Sequence, residues 1–150
     1  MSTVSGTDVV TEFFAKQRAH DLLGMAELCA ARAKFDYVPF VSHDKQRVVT
    51  GAGYVNGVGR TIWALGLRAF PDLTNEVHDV WADDAGTVVA EVTLSGTQAG
   101  PYLTLAPRGQ AFAERHLFRV HVDADGKIDD ISAYWNAGGM NAQLGHTELD

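Results

Sequence analysis

The chain has 150 residues, 46% of them hydrophobic, with 12 Lys+Arg against 19 Asp+Glu and a net charge of −7. That length fits one domain, residues 1–150, with a real core and room for one cavity, and the acidic balance without a Lys/Arg run excludes a nucleic-acid partner. A single cysteine excludes an internal disulfide, and the lack of a basic-then-apolar leader or a run of membrane-spanning length points to a cytoplasmic protein with no membrane partner.

Residues 1–7 are small and polar and read as a flexible tail, as do residues 146–150. Ser5-Gly6-Thr7-Asp8 has the spacing of a capping box. Val10, Phe13 and Phe14 then recur at helical spacing, which predicts a first helix to about Arg18. Asp21 caps a second, shorter helix with Leu22, Met25, Ala26, Leu28 and Cys29 as its apolar positions. Among such neighbours Cys29 reads as a buried structural thiol. Residues 35–41 are aromatic and β-branched and predict a strand, which Pro39 makes an edge or irregular one. A polar loop follows over 42–47, carrying His43 and Asp44. Asn56 caps a third helix, with Val58, Ile62, Leu65 and Ala69 on one face and Pro71 ending it.

From there the period switches to two. Residues 77–81, 87–97, 110–122 and 127–135 predict strands, joined in part by the turns Asp83-Asp84-Ala85-Gly86 and Asp123-Ala124-Asp125-Gly126. The chain closes on a Gly-rich tail after Trp135. Helices first and an antiparallel meander after them give an α+β layer fold.

Alternation assigns the faces. In 110–122 the apolar set is Phe112, Glu114, His116, Phe118 and Val120; in the preceding strand it is Val88, Ala90, Val92 and Leu94; in the last it is Ile131, Ala133 and Trp135. A carboxylate and an imidazole, Glu114 and His116, therefore share the buried-facing side. Burial raises a Glu pKa and lowers a His pKa, a tuning suited to proton transfer, and equally met in a structural pair near a strand end. Only one of Asp36 and Tyr37 can face inward. Tyr54, Trp63 and Tyr102 are candidate pocket walls, Tyr134 faces the other way from Trp135 and is placed to meet a partner, and Asn136 is placed to aim an amide at a ligand. The six histidines show no paired-ligand spacing, so no metal is expected. No GxGxxG, GxxxxGK or GxSxG occurs, so nucleotide binding and serine hydrolysis lack support, and no cofactor is expected.

Five short words stand in order: Phe70-Pro71-Asp72-Leu73, Leu105-Ala106-Pro107-Arg108-Gly109, Phe118-Arg119-Val120, Asp125-Gly126-Lys127-Ile128 and Gln143-Leu144-Gly145. With them the chain resembles the SnoaL-like polyketide cyclases of the nuclear transport factor 2-like, or cystatin-like, superfamily. The resemblance implies a cone-shaped, curved antiparallel sheet wrapped around N-terminal helices and enclosing one cavity, and homodimers packed through the outer sheet face. It implies cofactor-independent ring closure by an Asp on the last strand, aided by a His on the strand before. Here that Asp falls on Ala133, a second family Asp on Asn136, and the His near Phe118, one inward position from His116.

Three readings stand. The first is an acid–base enzyme (a cyclase, isomerase or dehydratase) with His116 as relocated base and Glu114 or Tyr54 returning the proton. Tyr37, Trp63, Phe112, Phe118, Ala133, Trp135 and Asn136 then surround a hydrophobic polyketide- or steroid-like substrate. The second is a non-catalytic ligand-binding protein, and the third a dimeric interaction module of the same fold.

Overall fold

The computed structural model describes residues 5–40 and 51–146. Helix α1, Gly6–Arg18, buries Val9, Val10, Phe13 and Phe14 on one face. It begins inside the expected tail, and Ser5, though at its N-cap, makes no side-chain cap bond, so the capping box does not form. Helix α2, Leu22–Glu27, is capped as expected: the Asp21 carboxylate accepts the Gly24 N–H.

Strand β1, Cys29–Phe40, is longer than its aromatic stretch. It is not an edge strand. It pairs antiparallel with β2, Gly51–Tyr54, and parallel with the last strand. Pro39 lies beyond Tyr37–Gly51, the last described pair with β2, so its missing N–H interrupts no ladder described on that side. The polar loop with His43 and Asp44 lies outside the described residues. After β2 the backbone makes a wide π-type turn, Val55–Gly59, into α3, Arg60–Ala69. Asn56 does not cap α3; its amide donates to the Ala31 carbonyl and ties the turn to β1. The turn rotates α3, so Ile62, Trp63, Gly66 and Leu67 face the interior, and Leu65 does not.

Four strands complete the sheet: β3, Thr74–Ala82, β4, Thr87–Thr97, β5, Ala111–Val122, and β6, Ile128–Asn136. The spatial order is β2-β1-β6-β5-β4-β3, antiparallel throughout except for the β1–β6 pair. Both predicted turns form. Asp83 and Asp123 each accept two backbone N–H groups, and Gly86 and Gly126 take the left-handed φ that closes each turn. Register shifts in β1, in the β3–β4 ladder and in the β5–β6 ladder mark bulges, which bend a sheet and increase its twist.

The expected tail instead folds into helix α4, Ala137–Gln143. Gly138 and Gly139 disfavour a helix, but the Asn136 side-chain amide oxygen caps it by accepting the Gly139 N–H, and Met140 and Leu144 bury in the core. Space beside Gly139 is tight: a Cβ would lie 3.0 Å from the Asn136 amide nitrogen and 3.4 Å from the Glu114 carboxylate. One core runs between the concave face of the sheet and the helices. On β4, β5 and β6 the predicted inward sets are the buried or half-buried ones. Cys29 is buried, donates to the Met25 carbonyl, and has its thiol pushed up to about 12 by burial. That removes thiolate chemistry at neutral pH.

Candidate active site

The concave side of the sheet and helices α1–α3 enclose a cavity of about 90 Å³. Tyr37 of β1, Phe112, His116 and Phe118 of β5, and Ala133 and Trp135 of β6 supply the sheet wall. Trp63 and its neighbours on α3 supply the opposite wall, with Gln17, Leu22 and Met25 at the helical end and Tyr102 from the β4–β5 loop. Among the described residues no Lys, Arg, Asp or Glu lines it. Its polar side chains are Gln17, Tyr37, Tyr102 and His116.

Side-chain alternation on three adjacent strands produces a ladder of rings. His116 stacks on Phe118 (5.8 Å, 14°) and on Trp135 (5.2 Å, 9°), and Trp135 stacks on Tyr37 (5.1 Å, 4°). The ladder follows from register, since His116 sits opposite Trp135. His116 is only 6% exposed, and burial lowers its pKa to about 4, so the ring is neutral at pH 7. Its Nδ1 lies 3.0 Å from the Glu114 backbone carbonyl. A neutral imidazole can only donate there, so the proton sits on Nδ1 and Nε2 keeps its lone pair.

Six residues expected at the ligand line this one cavity: Tyr37, Trp63, Phe112, Phe118, Ala133 and Trp135. His116 joins them. Three do not. Glu114 turns its carboxylate to the Gln143 amide of α4, at 2.8 Å, and only its backbone carbonyl meets His116. Its pKa is raised by desolvation, yet it lies off the cavity wall. Tyr54 ends β2 on the surface, 47% exposed, with the Arg32 guanidinium 5.9 Å above its ring. Asn136 spends its side chain on capping α4. The proton-returning roles of Glu114 and Tyr54 and the ligand role of Asn136 are therefore withdrawn.

Sequence reasoning passed over Gln17. Its spacing from Phe13 and Phe14 places it on the buried face of α1, which was the available signal. Asn75, buried at the start of β3, donates to both the Gln17 amide oxygen and the Phe14 carbonyl, and accepts from Arg18. This network holds the Gln17 amide at the cavity's helical end and engages its oxygen, which leaves the NH₂ group as donor.

The SnoaL-like polyketide cyclase family matches over residues 60–144, more than half of the chain, and the chain belongs to that family. Membership sets it among small-molecule enzymes of cyclase type. No curated protein matches it. Among solved structures it is similar to AclR of Streptomyces galilaeus, a candidate hydroxylase, at TM-score 0.76 and 21% identity, over 96% of this chain and 83% of that one. It is also similar to IdmH of Streptomyces antibioticus, a candidate polyketide cyclase, at 0.70 and 22%, over 95% and 99%. A third is SalBIII, an epoxide hydrolase/cyclase-like enzyme of pyran ring formation in salinomycin, at 0.66 and 18%, over 89% and 92%. At these identities the likenesses show the fold. In this chain that fold is helices on a curved six-stranded sheet, an α+β architecture.

Proposed function

We propose that this protein is a cofactor-independent enzyme of the cytoplasm that cyclises, isomerises or dehydrates a hydrophobic polyketide- or steroid-like molecule, with His116 as proton acceptor. The observation that carries this reading is the His116 ring, buried in the ring ladder with Nδ1 committed to a backbone carbonyl and Nε2 unprotonated. Nε2 takes a proton from a carbon next to a carbonyl. The C–H electron pair becomes a C=C bond and the carbonyl pair moves onto oxygen. Return of the proton elsewhere on the molecule completes isomerisation. Attack of the new carbon nucleophile on a second carbonyl, with the proton passed from His116 to the alkoxide formed, completes ring closure. Departure of a β-hydroxyl with that proton, as water, completes dehydration. Ala133, a methyl in the cavity wall where the resemblance places an Asp, takes no proton and serves as wall. At about 90 Å³ the cavity is smaller than the roughly 150 Å³ that holds a benzene. It accommodates the reacting end of a substrate rather than a whole ring system.

Deuterium uptake next to the carbonyl of acetone in D₂O, followed by NMR, tests this. The wild type should exceed His116→Phe, which keeps the stacking, by about 10²-fold or more. Equal rates would sink His116 as base.

One observation favours a second reading, a non-catalytic ligand-binding protein: no carboxylate lines the cavity among the described residues. Saturable binding of the ketone without any exchange would select it.

Two copies pair through the outer sheet face. Supporting this, Phe40, Trp81 and Leu117 are 54%, 51% and 43% exposed there, and Phe40 stacks on Tyr134. A groove of about 420 Å³ lies between Phe40, Tyr134 and Leu117, next to the Arg115–Glu91 ion pair.

A further inference from the structure

Tyr37 is 3% exposed, and its hydroxyl has no hydrogen-bond partner among the described residues. A buried hydroxyl left unpaired carries its full desolvation cost, and folded proteins retain few of them. The rest of the side chain is fixed. Its ring lies flat on Trp135, and the missing Cβ of Gly51 leaves it room, since one there would stand 2.6 Å from a Tyr37 ring carbon. The hydroxyl is thus held in place, in a cavity wall, for a partner that the described residues do not supply.

A second hydroxyl shares that cavity. Tyr102 is carried by the β4–β5 loop, where its backbone N–H and carbonyl both bond Leu105 and the intervening Leu103 takes a left-handed φ of 54°. Its ring packs against Phe70, 5.3 Å away. Burial raises its pKa first of all, and proximity to the Tyr37 oxygen raises it further. The Tyr37 pKa is itself pushed up to about 12 by burial. Both groups are neutral donors at pH 7. Both side chains line the same cavity.

We infer that Tyr37 and Tyr102 form a two-hydroxyl cradle for the carbonyl oxygen of an uncharged ketone, and that this selects the part of a substrate that enters the cavity. A ketone oxygen offers two lone pairs and no proton, the complement of two donors. Among the described residues the lining supplies no formal charge, so a carboxylate or ammonium would lose its hydration without a counter-ion. As negative charge grows on the oxygen, both hydrogen bonds strengthen, the condition for transition-state stabilisation. This deepens the reading of the same cavity with His116 as base, and it is tested by equilibrium binding, which needs no proton transfer.

The test uses acetone, small enough for the cavity, labelled with ¹³C at the carbonyl, and Tyr37→Phe and Tyr102→Phe variants that keep the rings. In the wild type the bound carbonyl resonance should move downfield of the free one, as donation to oxygen requires. Each variant should bind about 3- to 10-fold more weakly with the downfield displacement reduced. Tyr37→Phe should also melt no lower than the wild type, because its hydroxyl bonds no group among the described residues. Acetate, a charged match in size, should be refused. The cradle is overturned if the ketone does not bind, if both variants retain its affinity and shift, or if the carboxylate binds equally well. Loss of exchange in His116→Phe with unchanged ketone binding would support the base and leave the cradle standing. Ketone binding with no exchange in any form would remove the base and keep the cradle.

Discussion

His116 Nδ1 and the Glu114 carbonyl oxygen, 3.0 Å apart, fix the tautomer of the histidine that the cavity presents. Two residues on one strand face thus cooperate through backbone, and the Glu114 side chain is freed to hold α4. Burial keeps His116 neutral down to about pH 4, whereas an unfolded chain takes up the proton near pH 6.5.

The sign of the resulting pH dependence follows from linkage. Between pH 6.5 and 4 the unfolded state binds the extra proton, so the His116 contribution is complete above 6.5 and is lost as pH falls. By pH 5 the loss is on the order of 2 kcal/mol. His121 works oppositely. Its pKa is raised, chiefly by its bond to Asp129, so that contribution is lost as pH rises through the raised value. Urea unfolding at pH 7 and pH 5 should therefore be compared between wild type and His116→Phe, where the difference isolates His116. A variant with the same loss as the wild type would show that the ring is not the proton site.

Gly51→Ala places a methyl against the Tyr37 ring without adding an atom to the cavity lining. It should destabilise by roughly 1–3 kcal/mol through overpacking, and it should tilt Tyr37 off Trp135. Near-UV circular dichroism together with urea titration checks this. An unaltered aromatic spectrum with full stability would mean that the ladder tolerates the shift.

Asn136→Ala removes the cap of α4 and should cost about 1 kcal/mol. Ketone binding should be retained by the folded fraction, because Asn136 lies off the cavity wall. Loss of binding at full stability would return Asn136 to the ligand.

Leu117→Glu adds a charge to the outer face, far from any inward side chain. The wild type should scatter light at twice the 16.2 kDa of one chain, and the variant at once that mass. A wild type that stays single at 0.1 mM or so would remove the outer-face pairing.

The strands were legible because their inner faces alternate over long stretches: Val88, Ala90 and Val92, or His116, Phe118 and Val120, are buried as the period requires. The cavity wall followed from the same alternation. What escaped was tertiary. Gly51–Tyr54 pairs as β2 although Gly51 and Gly53 have no β propensity; their absent side chains are what let Tyr37 and Val58 pack close. Helix α4 forms against the propensity of its two glycines because a cap and two core side chains outweigh it. Glu114 was correctly placed on its face, but a face does not reveal that a glutamine 29 positions later will claim the carboxylate.

The ring ladder joins residues from both halves of the chain, since Tyr37 reaches Trp135 only through the parallel pairing of β1 with β6. Closing that contact spans roughly a hundred positions, the kind of long-range pairing that forms late and slowly. During synthesis the first helices and β1 emerge with one side of β1 uncovered, and the pocket does not yet exist. It appears as a whole when β6 docks. A guest that binds the finished wall then favours the complete fold by mass action, so the last strand to be made decides both whether the protein is folded and whether it has a site.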